Sequence, residues 1–161
     1  MNCNFSCLTM LIFVSLILGG CDADSRCPET EPFCHENGDL RWSDISEEPL
    51  SWSGAVSYCN NIGGRVPKIS ELRTLVRRCS VMETGGECGV TDDCWESACK
   101  VSCPGCEPSG SGKYSVFKDT EALWSSTQYD GYTYIVWYVL FSSASINHAE
   151  KSSQGFVRCL K

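Results

Sequence analysis

The chain is short of basic residues. Its 161 residues carry 13 Lys and Arg against 20 Asp and Glu, a formal net charge of -7. That balance argues against non-specific nucleic-acid binding, which needs a basic face. It argues equally against a polybasic attachment to anionic lipid. No apolar run is long enough to span a bilayer as a mature helix; the run from Leu8 to Leu18 has instead the length of a secretory leader's apolar region. Histidine is nearly missing: His35 and His148 stand far apart, and each is read as a surface residue. There is no Gly-x-Ser-x-Gly and no His-Glu-x-x-His, and Gly110-Ser111-Gly112-Lys113 lacks the spacing of a phosphate-binding loop. No internal repeat is present. Catalysis by these routes has no support, no cofactor or metal is expected, and the chain is read as a non-enzyme.

Cysteine is abundant, with 13 in the chain. The apolar run ends in Leu18-Gly19-Gly20-Cys21, which resembles a bacterial lipobox even though no Lys or Arg precedes the run. The resemblance implies cleavage before Cys21, diacylglycerol on its sulfur and acylation of the new amino terminus. The expected partner is therefore a membrane, reached through the N-terminal lipid, and the expected location is the bacterial cell envelope, periplasmic or surface-exposed. Several acyl chains are needed for durable anchoring, at about 0.8 kcal/mol per buried methylene. Cys3 and Cys7 leave with the leader and Cys21 takes the lipid, so ten cysteines remain: Cys27, Cys34, Cys59, Cys79, Cys88, Cys94, Cys99, Cys103, Cys106 and Cys159. An even set in an exported chain reads as a disulfide framework.

The expected organisation is a signal peptide over 1–20, a lipidated tether over 21–39 and one domain over 40–161. Within the tether, Cys27 and Cys34 are close enough to pair around Pro28 and Pro32. Trp52, Ala55, Val56, Cys59 and Ile62 share one helical face, with Ser51 as cap and Gly63-Gly64 as stop. A second helix is expected from Ser70 to about Cys79, capped by Ser70 and carrying Arg77-Arg78 in its last turn. From about Ser80 to Gly112 the chain reads as a long irregular loop held by disulfides rather than by a core. Leu123–Thr127, Tyr132–Phe141 and Gly155–Cys159 read as strands, with Asp130-Gly131 as a turn. In the second of these, Trp137, Val139 and Phe141 share one face.

These pieces, in this order, resemble a known pattern. Trp52, Ala55, Cys59 and Gly63-Gly64 match the first helix and following turn of a C-type lectin-like domain. More narrowly, Gly64-Arg65-Val66-Pro67, Ser70-Glu71-Leu72-Arg73, Leu123-Trp124-Ser125-Ser126-Thr127, Trp137-Tyr138-Val139-Leu140-Phe141 and Val157-Arg158-Cys159 resemble the C-terminal domain of a bacterial collagen-like adhesin. The resemblance implies an α+β, C-type lectin-like domain: two helices packed on small antiparallel sheets, with a long disulfide-rich loop region. It also implies a Cys59–Cys159 bridge, which would close a loop of about 100 residues and contribute about 4–5 kcal/mol in the chain-entropy view.

Sugar-binding members of that fold hold calcium with Glu-Pro-Asn and a later Trp-Asn-Asp. This chain has Glu107-Pro108-Ser109 and no Trp-Asn-Asp, a poor start for an ion that takes six to eight oxygens. Cys103-Pro104-Gly105-Cys106 has zinc or redox spacing, but outside the cytoplasm disulfides are the expected use. Trp124 and Trp137 are expected in the core. Tyr129, Tyr132 and Tyr134 remain as candidate ligand contacts, since aromatic side chains with polar neighbours are common binding anchors. The expected function is non-catalytic recognition of an extracellular protein or glycan, or adhesion, at the envelope. The alternatives are a divergent sulfatase-activating or thiol-redox enzyme using loop cysteines, and a purely structural envelope component.

Overall fold

A computed structural model describes residues 26–94, 103–129 and 131–161. The leader, Cys21, Cys99 and Asp130 lie outside the described residues. Among the described residues no helix is long and apolar enough to cross a membrane.

Two small antiparallel sheets carry the fold. In the first, β1 (His35–Asn37) and β2 (Leu40–Ile45) form a hairpin around Gly38, and β6 (Arg158–Leu160) pairs with the other edge of β2. Gly38 sits at φ +61, a left-handed conformation that favours glycine. The hairpin thus extends the sheet back to His35, ahead of the expected domain start at residue 40. In the second sheet, β3 (Ala122–Tyr129), β4 (Tyr132–Leu140) and β5 (Ser145–Glu150) run as a meander. A parallel bridge from Leu123 to Phe156 joins the sheets; Trp124 N–H donates to the Phe156 carbonyl at 2.9 Å, and Phe156 N–H to that of Ala122 at 2.9 Å.

α1 (Trp52–Asn61) forms where the apolar spacing places it. The Ser51 hydroxyl accepts from Gly54 N–H at 3.2 Å, and Gly63 leaves the helix at φ +80. Gly64 has no room for a side chain, because a Cβ there would lie 2.4 Å from the Phe33 ring. Cys59 is bonded to Cys159, tying α1 to β6. Two indoles add cross-links: Trp52 Nε1–H donates to the Ser125 carbonyl at 2.9 Å and Trp124 Nε1–H to that of Leu50 at 2.8 Å.

The second helix is shorter than its sequence suggests. α2 spans only Ile69–Arg73, and Lys68, not Ser70, is its N-cap. Ser70 instead gives its N–H and its hydroxyl to the Asp92 carboxylate, at 3.0 and 2.6 Å. Glu71 reaches back to Lys68 N–H at 2.7 Å. Beyond the helix Val76 bridges to Ser115, and Arg78 has φ +59, so Arg77 and Arg78 are not helical. Long-range pairing wins over local periodicity here.

The apolar core lies on both sides of the meander. Leu123, Trp137, Val139 and Phe141 pack into one cluster with Trp42, Leu72 and Ile146. Trp124, Val136 and Tyr138 face a second cluster with Ala55, Cys59 and Val157. The strict alternation along β4 is the period-two signature of a strand buried on both faces.

The stretch from 77 to 121 contains no named helix or strand among its described residues. It is not held by disulfides alone, as the sequence suggested. Cys79 bonds Cys106 and Cys88 bonds Cys103, but Met82, Val90 and Tyr114 are also buried in the first core cluster. Arg73, 6% exposed, donates to three carbonyls of this stretch, those of Met82, Glu83 and Val90, at 2.7–3.1 Å. Burial lowers its pKa from the ordinary arginine value. At the other end Arg158, also 6% exposed, pairs with Asp119 at 2.8–3.1 Å and donates to the Ser43 carbonyl at 2.7 Å. The chain reads apolar periodicity poorly here because polar staples inside the core take over part of the organising role.

Candidate ligand-binding site

The three tyrosines singled out in the sequence come together at one end of the meander. Tyr129 closes β3 and Tyr132 opens β4; they are register partners, with Gly131 between them at φ +73. Their rings stack with centroids 6.2 Å apart. Tyr132 and Tyr134 meet edge to face at 5.6 Å. These two are the large hydrophobic side chains exposed to solvent among the described residues, at 47% and 54%.

The row of rings continues inward. Tyr129 stacks on His148 at 3.9 Å, and both rings meet Trp137 at an angle, at 5.1 and 5.5 Å. Trp137 is fully buried and its Nε1–H donates to the Cys94 carbonyl at 3.3 Å. The ladder therefore runs from solvent at Tyr134 to the core at Trp137, and it touches the disulfide-rich stretch. His148 is the member that sequence reading missed, because it was taken for a surface residue. The β4–β5 register pairs it with Trp137. Its Nδ1 is buried and accepts or donates no hydrogen bond, and burial lowers its pKa from the ordinary 6.5. Burial thus favours the neutral ring, which lies flat on Tyr129 and meets Trp137 edge to face.

Polar groups border the exposed end. Lys151 N–H donates to the Tyr134 carbonyl at 2.8 Å, and its ammonium lies 4.3 Å from the centre of the Trp52 ring. Such a site offers flat aromatic faces with hydrogen-bonding groups at the rim. That chemistry suits an apolar sugar face or a peptide side chain.

The remaining candidates sort as follows. Trp124 is buried, as expected. Cys103 and Cys106 belong to two different disulfides, so the C-x-x-C spacing is not one redox pair. Cys94 is disulfide-bonded as well, while Cys99 lies outside the described residues. The Glu107 carboxylate accepts from Ser109 N–H at 2.9 Å, closing a local turn. Among the described residues the donor group tight enough for a metal ion is Cys27, Cys34 and His35, and its two sulfurs are bonded to each other. His35, too, is not a free surface residue: it is half-buried, 2.7 Å from the Asp44 carboxylate and 5.2 Å from the Phe117 ring. His35 and Asp44 line a cavity of about 330 Å³ with Phe117, Glu121, Phe156 and Arg158.

The family model of the Lcl C-terminal domain matches residues 33–161, and the chain belongs to that family. No curated protein and no solved structure matches the chain.

Proposed function

We propose that this protein is a lipid-anchored component of the bacterial cell envelope whose C-type lectin-like domain recognises an extracellular glycan or protein without catalysis. The observation that carries the reading is the exposed pair Tyr132 and Tyr134, backed by Tyr129, His148 and Trp137. Exposed aromatic rings fixed from behind lose little entropy on binding, which is what a recognition surface needs. The C-type lectin-like assignment is supported by the helix-to-last-strand bridge Cys59–Cys159 and by a long irregular segment between the two helices and the meander. Attachment through Cys21 is supported by Leu18-Gly19-Gly20-Cys21.

The test uses the full chain purified from its native membrane and reconstituted in liposomes. Binding to immobilised glycans and extracellular-matrix proteins is compared for wild type and Tyr132→Ala/Tyr134→Ala. A ligand whose affinity falls at least about tenfold in the variant, with unfolding unchanged, supports the reading. Ligands bound equally by both proteins sink the assignment of this site. Intact mass decides the anchor: loss of 1–20 with added acyl groups is expected, and an unacylated Cys21 overturns it.

A further inference from the structure

We infer that the Cys27–Cys34 disulfide is a redox-labile site that exchanges with an external dithiol, with Cys27 as leaving thiolate and His35 as its proton donor. Five features separate this bridge from the others. It closes the shortest loop, with a separation of 7 residues against 15, 27 and 100 for the other three described pairs. A short loop adds least to the stability of the fold in the chain-entropy view, so opening this bridge costs the fold least. Both of its cysteines are partly exposed, whereas each of those three other bridges contains at least one buried cysteine. Cys27 also lines an open cavity of about 550 Å³, which leaves its sulfur room to move away when the bond breaks. The remaining two features are chemical, and they sit at the sulfurs.

Cys34 N–H donates to Cys27 Sγ at 3.1 Å. That contact strengthens when negative charge develops on Cys27, and it favours Cys27 as the sulfur that leaves. A ring nitrogen of His35 and both sulfurs lie within 4.8 Å of one another. Asp44 holds the arrangement from below, taking the His35 Nε2 at 2.7 Å with one oxygen and Cys27 N–H at 2.6 Å with the other. At that range the ring can pass a proton to a leaving thiolate through one intervening water, as general acid catalysis allows.

The exchange balances without any further reagent. A thiolate of the dithiol attacks Cys34 Sγ, the Cys27–Cys34 bond breaks, and Cys27 leaves as thiolate and takes a proton from His35. The dithiol's second thiol attacks the partner sulfur of the mixed disulfide, releasing Cys34. The external dithiol ends as a disulfide; its two protons end on Cys34 and, through His35, on Cys27. Reduction would loosen residues 26–34, the segment that leads into β1, while the other bridges keep the domain folded.

The experiment takes the full chain in detergent, blocks free thiols, adds limiting dithiothreitol, alkylates with a mass-tagged reagent and maps the labelled cysteines. Cys27 and Cys34 are expected to label before any other pair; another pair opening first overturns the proposal. Glutathione in place of dithiothreitol should leave its adduct on Cys34 with Cys27 free, and the opposite adduct overturns the assignment of leaving group. His35→Gln is expected to slow exchange about tenfold and to steepen its rise with pH, because the attacking thiolate alone then sets the pH dependence, leaving the rate at Cys59–Cys159 unchanged. Equal rates and pH profiles for wild type and variant remove His35 from the mechanism.

Discussion

The meander and the stretch from 77 to 121 share one core but are ordered by different forces. The meander is legible as alternation: Trp137 and Val139 face one cluster, Val136 and Tyr138 the other, and the strands hold one another by backbone ladders. The irregular stretch has no named strand among its described residues, only isolated bridges such as Cys103 to Ile146. Three of its backbone carbonyls are taken up by Arg73, its middle is held by Ser70–Asp92, its far end is fixed by Arg158–Asp119, and two disulfides close it. A small domain can therefore keep a long segment free of repeating structure provided buried charges replace the missing backbone partners. Loss of order should be global when the meander is struck and local when the irregular stretch is.

The largest effect should follow removal of the bridge that ties α1 to β6. Cys59→Ala with Cys159→Ala opens a loop of 100 residues and is expected to cost about 4–5 kcal/mol, read by urea unfolding of the otherwise oxidised protein. A cost under about 1 kcal/mol would mean that the ladder alone holds the ends together. Trp137→Ala comes next, at about 3–5 kcal/mol, because it empties the site that joins the meander to the first core cluster. Unfolding should stay a single transition, with tryptophan fluorescence and circular dichroism superimposing; separate transitions would break the idea that this half fails as a unit.

Arg73→Met sharpens the contrast. It leaves the carbonyls of Met82, Glu83 and Val90 without their donor, an expected loss of about 2–4 kcal/mol confined to their segment. Hydrogen exchange should rise over 79–92 while β4 amides keep their protection. Equal loss of protection in both places would show that the two regions are one cooperative unit.

The same contrast explains what could be read in the sequence. α1 was legible because apolar spacing, a serine cap and a glycine stop agree over Ser51 to Gly64. β5 was not, since Ser145-Ile146-Asn147-His148-Ala149-Glu150 has little strand propensity and is extended because β4 pairs with it. β1 was hidden the same way: His35-Glu36-Asn37 is polar and owes its form to β2. α2 was read too long because its pattern continues to Cys79, while Val76 is drawn off to Ser115. The tyrosines of the site were visible as exposed aromatics near a turn, but His148 was not, because its stacking depends on a cross-strand register that no local pattern encodes. The connectivity Cys79–Cys106 and Cys88–Cys103 is nested in sequence, one of several pairings that spacing alone leaves open.

The smallest effect lies at the seam, where Trp137 touches the Cys94 carbonyl and carries His148 against Tyr129. Burial lowers the His148 pKa in the folded state from 6.5, so the unfolded chain binds the proton more readily. By linkage, stability then rises with pH through this group: its neutral form is fully favourable above about 6.5, and the contribution is lost as pH falls from there towards the lower folded value. Glu71 acts in a different window. Burial raises its pKa, but bonds from the Arg65 guanidinium and from Lys68 N–H outweigh this and hold it below 4.5, so its contribution is lost only in stronger acid. Melting temperature measured from pH 8 to 5 should therefore slope gently downward in wild type and run flatter in His148→Phe, which keeps a ring between Tyr129 and Trp137 without a titrating nitrogen. Parallel slopes in the two proteins would mean that the stacked rings are not sensitive to protonation at this position.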